Sequence, residues 1–171
     1  MTIWVSSLFE ARDVAKRVKP QRAVSLLSPG DDFPALPGLS GDRHHCVHLH
    51  DIAEEIPGHV TPGRAHVESI ISFLRDHRAD DAILIHCFAG ISRSTATAFI
   101  AACLHNPKTE ETAIAQALRL ASPTAFPNPR IVAFADEVLG REGRMSKAVQ
   151  GMGPGTFADE AEPFSLPTRF A

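Results

Sequence analysis

The sequence is short of several features that would assign it to a specialised class of protein. Its 171 residues include no tyrosine, a single tryptophan and three cysteines, and the net charge is only −3. Three cysteines do not make the disulfide framework of a small secreted domain, so a reducing compartment is favoured. The small net charge gives no reason to expect nucleic acid or an anionic membrane as a partner.

Long apolar runs are absent as well. No stretch approaches the roughly 18 apolar residues that a membrane-spanning helix requires. The first residues, Met-Thr-Ile-Trp-Val-Ser-Ser, contain no apolar signal core. These absences predict a soluble, cytoplasmic protein with no membrane among its partners, and the length predicts one domain with a substantial core.

One segment of the chain is highly informative, namely residues 86–94, which read His-Cys-Phe-Ala-Gly-Ile-Ser-Arg-Ser. The apolar run at 82–85 predicts a buried strand immediately before it, and an apolar helix is predicted from Ser94 onward. A cysteine, a glycine-containing turn and an arginine therefore lie where a strand passes into a helix. The N-terminus of a helix favours anions, because its N–H groups are unpaired and its dipole is positive there.

Each residue type in this segment suits phosphate chemistry. Five residues separate Cys87 from Arg93, enough for successive backbone N–H groups to converge on one tetrahedral anion. These five phosphate-binding positions are Phe88, Ala89, Gly90, Ile91 and Ser92. The planar fork of Arg93 can hold two phosphate oxygens, and a helix N-terminus with a cationic neighbour favours the thiolate form of a cysteine. We expect Ser94 to donate its hydroxyl to the sulfur, His86 to orient the loop, and a phosphate or sulfate ion to bind there.

A cysteine in such a segment has a simpler interpretation. Cysteine is often only a small buried apolar residue, and a Cys-x5-Arg spacing also arises by chance. Here the preceding strand, the following helix, Gly90 and the flanking His86 and Ser94 all agree with a functional loop. We therefore interpret Cys87 as a nucleophile.

The segment resembles the phosphate-binding loop of the cysteine-dependent protein tyrosine phosphatase superfamily. Its ending, Ala-Gly-Ile-Ser-Arg-Ser, is most similar to the dual-specificity branch and its small bacterial relatives. A second similarity lies at residues 127–134, which resemble the Pro-Asn segment that begins a late helix in dual-specificity phosphatases. The resemblance spans about residues 3–144 and is most specific at 86–94.

Hydrophobic periodicity predicts a single α/β domain with a mostly parallel central sheet of four to five strands flanked by helices, as in these phosphatases. The predicted strands are residues 3–5, 23–27, 46–49 and 82–85. The predicted helices are residues 7–18, 67–74, 95–104, 110–121 and 129–138. Strands that alternate with helices imply a sheet covered on both faces, with ligands bound beyond the strand C-termini. We assign residues 1–144 to the phosphatase domain and 145–171 to a Gly/Pro-rich tail that packs on the domain or is partly disordered.

The resemblance implies a general acid after the strand at 46–49, and Asp51 is our candidate. It is expected at the same sheet edge as Cys87, and it begins a loop that could close over substrate. Its spacing to Cys87 is longer than in the family, so Glu54 and Glu55 remain competitors, and Asp51 could instead only cap its loop. We expect Asn128 to position the hydrolytic water or brace the loop, or simply to cap its helix.

The resemblance further implies a phosphatase that hydrolyses phosphate monoesters through a cysteinyl-phosphate and needs no metal or other cofactor. The expected partner is a phosphorylated protein (phosphotyrosine or dual specificity) or a small aryl phosphate, because the loop lacks the basic residues common in inositol-lipid phosphatases. Since the chain has no tyrosine, a ring that stacks on phosphotyrosine must come from phenylalanine or tryptophan. Phe88 and Phe33 are the candidates, although each is as readily a core or surface residue.

Three other interpretations remain open. One is a phospho-binding pseudophosphatase with little turnover, which an unsuitable Asp51 would produce. Another is sulfur transfer or arsenate reduction, which also use a cysteine loop, although the position of Cys87 and the Gly-x-x-Arg-Ser ending argue against both. The third is a metal site on one strand face, formed by His44, Cys46 and His48 with His50. Adjacent residues on one strand rarely close a tetrahedral site by themselves, so we expect no metal.

Overall fold

A computed structural model describes residues 2–170, which form a central sheet with helices on both faces. The strands are β1 (Thr2–Ser6), β2 (Arg22–Leu27), β3 (His44–His48), β4 (Ile83–His86) and β5 (Phe164–Pro167). The helices are α1 (Leu8–Val18), α2 (Arg64–Arg75), α3 (Arg93–His105), α4 (Glu111–Ala121), α5 (Pro129–Val138) and α6 (Arg144–Met152), and a 3-10 helix spans Gly41–Arg43.

The strand order is β3-β2-β4-β1-β5, in which the first four strands are parallel and β5 is antiparallel to β1. The predicted α/β architecture is therefore confirmed. All four residues of β4 are buried, as expected for an apolar strand covered on both faces. The β4 strand leads directly to α3, whose first eleven residues are also buried, so the segment between them is held by the core on both sides.

Two helix starts follow the sequence signals closely. The Ser7 side chain accepts a hydrogen bond from the Glu10 amide at 3.2 Å and caps α1. The Asn128 side chain accepts from the Arg130 and Ile131 amides, both at 3.1 Å, and Pro129 occupies the first turn of α5. Both helices begin in this way because side-chain oxygens satisfy amides that the helix leaves unpaired, and the cap considered for Asn128 is confirmed.

The segment 145–171 contributes secondary structure that the sequence patterns do not indicate. It contains most of α6, in which Met145 and Ala148 are buried, and all of β5. Leu166 of β5 lies opposite Ile3 of β1 and is buried. The antiparallel edge strand is only four residues long and ends in proline, which is why its periodicity is too brief to be recognised.

None of the helices within residues 2–170 is long and apolar enough to span a bilayer.

Candidate active site

The segment between β4 and α3 is a tight loop at the carboxyl edge of the parallel strands. Gly90 lies in its middle with φ of +75°. A Cβ at this position would lie 2.9 Å from the carbonyl carbon of Ser6 and from the amide nitrogen of Ser7. Only glycine fits, because both the backbone conformation and the close approach of the β1–α1 junction exclude a side chain.

The peptide groups of the loop are turned so that carbonyls face outward. Four loop carbonyls accept hydrogen bonds from distant backbone amides: Phe88 from Leu8 (3.0 Å), Ala89 from Ala161 (2.9 Å), Ile91 from Phe126 (2.9 Å) and Ser92 from Asn128 (3.2 Å). Within residues 2–170, the amides of 88–92 have no hydrogen-bond acceptor. Outward carbonyls and free amides together make a nest for an anion.

Cys87 lies at the base of this nest and is 3 % exposed. Its Sγ is 3.1 Å from the Ser94 Oγ in the first turn of α3. The N-terminus of α3 and the amides of the loop face the same cavity edge as this cysteine. The structure therefore brings Cys87 and Ser94 into contact.

Arg93 is positioned by two residues that the sequence patterns do not single out. Its Nη1 donates to the Leu49 carbonyl at 2.8 Å and to the Ser28 Oγ at 3.1 Å. The side chain is buried, and its Nε has no hydrogen-bond partner within residues 2–170. One corner of the guanidinium is thus anchored just beyond the ends of β2 and β3, and the side chain lines the cavity with donor capacity left for an anion.

Asp51 lies against the loop. Its Oδ1 accepts hydrogen bonds from the Ser92 Oγ at 2.6 Å and from the Asn128 Nδ2 at 2.9 Å. It lines the same cavity as Cys87, whereas Glu54 and Glu55 do not, and Glu55 instead contacts Arg130 at 3.5 Å. Of the three carboxylates considered from sequence, the structure brings only Asp51 to the nucleophile.

Asn128 combines two of the roles considered for it. Its side-chain oxygen caps α5, and its Nδ2 donates both to Asp51 and to the Ile52 carbonyl at 3.1 Å. Its backbone amide also bonds the Ser92 carbonyl. The residue therefore ties the start of α5 to both the Asp51 segment and the phosphate loop.

A chain of hydrogen bonds runs from the loop through β4 into β2. His86 Nδ1 lies 3.2 Å from the Cys87 carbonyl, which can only accept, so this nitrogen carries the proton. His86 Nε2 then accepts from the Ser25 hydroxyl at 2.6 Å, and the Ser25 oxygen accepts from His44 Nε2 at 2.7 Å. Burial, opposed by the bond to Cys87, lowers the pKa of His86 to about 4, so it orients the loop as a neutral ring.

The cavity over the loop has a volume of about 700 Å³. Phe88 and Phe126 lie on its walls, each about half exposed, and Phe88 packs edge-on against Phe9 with 5.3 Å between ring centres. Phe33, the other ring considered from sequence, instead packs against His48 at 4.4 Å. Phe88 is therefore the predicted ring that reaches the cavity.

Several residues of the cavity carry no recognisable sequence signal. They are contributed by separate segments of the chain: Ser28, Asp31, Ala53, Phe126, Ala158 and Asp159. None lies in a motif, and only the folded topology brings them together.

The histidines near β3 have separate surroundings. His44 bonds Ser25, His48 packs on Phe33, and His50 accepts from the Val60 amide at 2.9 Å. Within residues 2–170, no group of three or more histidine, cysteine or acidic side chains is arranged to hold a metal ion.

Comparison with known proteins agrees with this arrangement. A family model described as "Protein-tyrosine phosphatase" matches residues 43–125. The structure is similar to that of DUSP15, with a TM-score of 0.62 and 20% identity over 92% of this chain and 94% of that one. It is also similar to human DUSP28 (TM-score 0.60, 21% identity, 82% and 89% covered) and to Cydia pomonella PTP-2 phosphatase (TM-score 0.57, 21% identity, 79% and 84% covered). No curated protein sequence matches the chain.

The chain has the fold of the dual-specificity phosphatases, and its residues 43–125, which include Cys87 and Arg93, match the protein-tyrosine phosphatase family model. It is an enzyme of the protein tyrosine and dual-specificity phosphatase class.

Replacing Gly90 by alanine is expected to destabilise the protein by about 3 kcal/mol, because strain at positive φ adds to a backbone clash. The matched control is Gly38→Ala, since Gly38 has φ of +76° but nothing within 4 Å of an added Cβ. It should cost only about 1 kcal/mol. Urea unfolding measures the stability of both variants. Equal losses of stability would show that the close approach of residue 90 to the backbone of Ser6 and Ser7 does not exclude a side chain.

Stability should fall as pH is lowered from about 6.5 to about 4. Because the pKa of His86 is lowered by burial to about 4, the unfolded chain takes up its proton first. The stabilisation is therefore complete above the unfolded pKa and is lost as pH falls toward the folded one, by about 3 kcal/mol for this group. Burial also lowers the pKa of His44, His45, His77 and His105, which adds in the same direction.

The variant His86→Gln should be less stable at neutral pH but should lose less stability on acidification. Exposed His48→Gln serves as the control and should retain the full pH dependence. Urea unfolding at a series of pH values measures both slopes. If the stability of His86→Gln and of wild type depended on pH in the same way, His86 would not be the source of the acid-dependent loss of stability.

Proposed function

We propose that the protein hydrolyses phosphate monoesters of proteins, phosphotyrosine or dual-specificity substrates, through a cysteinyl-phosphate on Cys87. The observation that most strongly supports this is the loop itself, in which free amides surround the buried sulfur. A phosphoryl group held by these amides and by the Arg93 fork would have its phosphorus next to the nucleophile.

In the first proposed step, the Cys87 thiolate attacks phosphorus and forms an S–P bond as the ester P–O bond breaks. The amides of 88–93 and the Arg93 guanidinium stabilise the charge on the equatorial oxygens. Asp51, in its protonated form, donates its proton to the departing oxygen. Hydrogen bonds from Ser92 and Asn128 to its Oδ1 would leave Oδ2 to carry that proton toward the cavity.

In the second proposed step, water attacks the cysteinyl-phosphate and the S–P bond breaks. The Asp51 carboxylate, now ionised, takes the proton from this water. The Ser94 hydroxyl, 3.1 Å from the sulfur, donates to the departing thiolate and stabilises it. Asn128 holds the Asp51 carboxyl group in place through both steps. Charge stabilisation comes from the loop and Arg93, so the mechanism requires no metal.

The walls of the cavity favour an aryl or protein phosphate as substrate. The loop positions between Cys87 and Arg93 carry no lysine, and the rings of Phe88 and Phe126 stand at the cavity. An aromatic leaving group can pack on these rings. A phosphate on a peptide side chain would reach the sulfur with the peptide lying across the exposed rings.

The first test is turnover of p-nitrophenyl phosphate from pH 4 to 9 without added metal. Cys87→Ser is expected to abolish turnover. Asp51→Asn should lower kcat by about 10²–10³-fold and flatten the basic limb of the pH profile, because the proton donor is lost. Glu54→Gln and Glu55→Gln are the matched controls and should retain the wild-type profile.

Two outcomes would overturn parts of this proposal. A wild-type profile in Asp51→Asn with an altered one in Glu54→Gln or Glu55→Gln would transfer the acid role to that glutamate. Absence of turnover in wild type, with tight binding of a phosphotyrosine peptide, would replace catalysis with the function of a phospho-binding pseudophosphatase.

Arg93→Lys tests the guanidinium fork. A lysine cannot both reach the Leu49 carbonyl and hold two phosphate oxygens, so kcat/KM for p-nitrophenyl phosphate should fall by about 10²–10³-fold. The control is Arg130→Lys, whose guanidinium bonds the Pro62 carbonyl and Glu55. Equal activities of the two variants would exclude a specific role for the Arg93 fork.

A further inference from the structure

The cavity over the phosphate loop is lined by more negative than positive side chains. Asp31 and Asp159 line it besides Asp51, which is protonated when it acts as the proposed acid, and Arg93 is the one cationic side chain on its walls among the described residues. Neither Asp31 nor Asp159 forms an ion pair within residues 2–170. The charges of these two carboxylates are therefore not compensated by the protein itself.

Asp159 reaches the cavity through a segment that is bonded to the phosphate loop. This segment follows α6 and precedes β5. The Ala161 amide donates to the Ala89 carbonyl at 2.9 Å, and Glu160 accepts from the Ser7 hydroxyl at 2.5 Å. The segment that carries Asp159 is therefore fixed to the phosphate loop by one main-chain bond and to Ser7 by one side-chain bond.

The negative surface continues beyond the cavity. A recess of about 90 Å³ next to it is lined by Glu10, Glu160 and Glu162. Ala161 of the recess donates to the carbonyl of Ala89, which lines the cavity, so the two lie on either side of this hydrogen bond. Polypeptide that leaves the catalytic cavity on this side therefore passes a second group of carboxylates.

The positive charge of the site is confined to its base. Arg93 lines the cavity and is 5 % exposed, and its Nε has no hydrogen-bond partner among residues 2–170. The loop amides act only at hydrogen-bond range. One phosphate is thus favoured at the base, while any further negative group of the substrate meets the carboxylates above it.

We infer that the site selects phosphorylated protein segments with lysine or arginine beside the phosphorylated residue, and that Asp31 and Asp159 are the specificity-determining residues. This inference rests on the proposed phosphatase function. Basic flanks pair with the carboxylates, whereas acidic flanks and polyphosphorylated molecules are repelled by them, so discrimination includes both an attractive and a repulsive element. Inositol phosphates are therefore poor substrates.

The experiment compares kcat/KM for two phosphotyrosine peptides that differ only in flanking residues, lysines in one and glutamates in the other. In wild type the lysine peptide should be preferred at least about tenfold at low salt, since several exposed charges each contribute a few-fold. Asp31→Asn with Asp159→Asn should reduce this ratio at least about threefold. Raising salt from about 0.01 M to about 1 M should reduce the wild-type ratio as well.

The control is Asp76→Asn, which removes one exposed negative charge at the C-terminal end of α2, from a residue that does not line the cavity. It should leave the peptide ratio unchanged. The ratio of kcat/KM for the two peptides is measured within each variant. A general loss of activity in the double variant therefore does not change this ratio.

Three results would overturn the inference: equal turnover of both peptides by wild type, an unchanged ratio in the double variant, or preferential hydrolysis of an inositol phosphate. Turnover of p-nitrophenyl phosphate by wild type is measured beside them. If wild type turns over p-nitrophenyl phosphate but does not discriminate between the peptides, only the proposed specificity is rejected. If wild type does not turn over p-nitrophenyl phosphate, the phosphatase function on which the specificity rests is rejected.

Discussion

The structure depends on one local constraint, the outward rotation of the carbonyl groups in the loop after Cys87. This rotation is stabilised because four of these carbonyls, those of Phe88, Ala89, Ile91 and Ser92, accept hydrogen bonds, and a buried carbonyl without a donor is costly. The donors are backbone amides from the start of α1, the segment before β5, and the chain that leads into α5. Three remote parts of the fold are therefore fixed around the site by the same requirement that leaves the loop amides free for an anion.

A second requirement follows at the start of the loop, where the Cys87 carbonyl must also be held. His86 does this as a donor, and its neutral form is what makes the arrangement unambiguous: one nitrogen donates to the carbonyl and the other accepts from Ser25. Burial, which lowers its pKa to about 4, thus sets the direction of the whole hydrogen-bond chain to His44. A charged ring would donate from both nitrogens and place a second cation beside Arg93.

The features that could be predicted from the sequence are those formed by residues close together in the chain. The β4–loop–α3 unit is contiguous in the chain, and the caps at Ser7 and Asn128 are local hydrogen bonds, so for these elements the sequence pattern and the structure agree. Local patterns could not distinguish Asp51 from Glu54 and Glu55. The position of Asp51 depends on Ser92 at the end of the loop and Asn128 at the start of α5, which both bond its carboxylate. The anchors of Arg93, and Asp159 on a segment bonded to the loop, depend on contacts between distant positions that leave no local pattern.

The site also shows how a chain of net negative charge can hold an anion. The loop amides belong to neutral peptide groups, so they supply a positive field at the sulfur without adding net charge, and a single buried arginine completes it. Their effect is short in range and demands a tetrahedral shape. The uncompensated carboxylates around the cavity act over a longer distance and are screened by salt. Two separate physical effects therefore act at the site: the loop recognises the phosphoryl group, and the carboxylates discriminate among the polypeptides that carry it. Mutations of the carboxylates at the rim can change this discrimination without reshaping the loop.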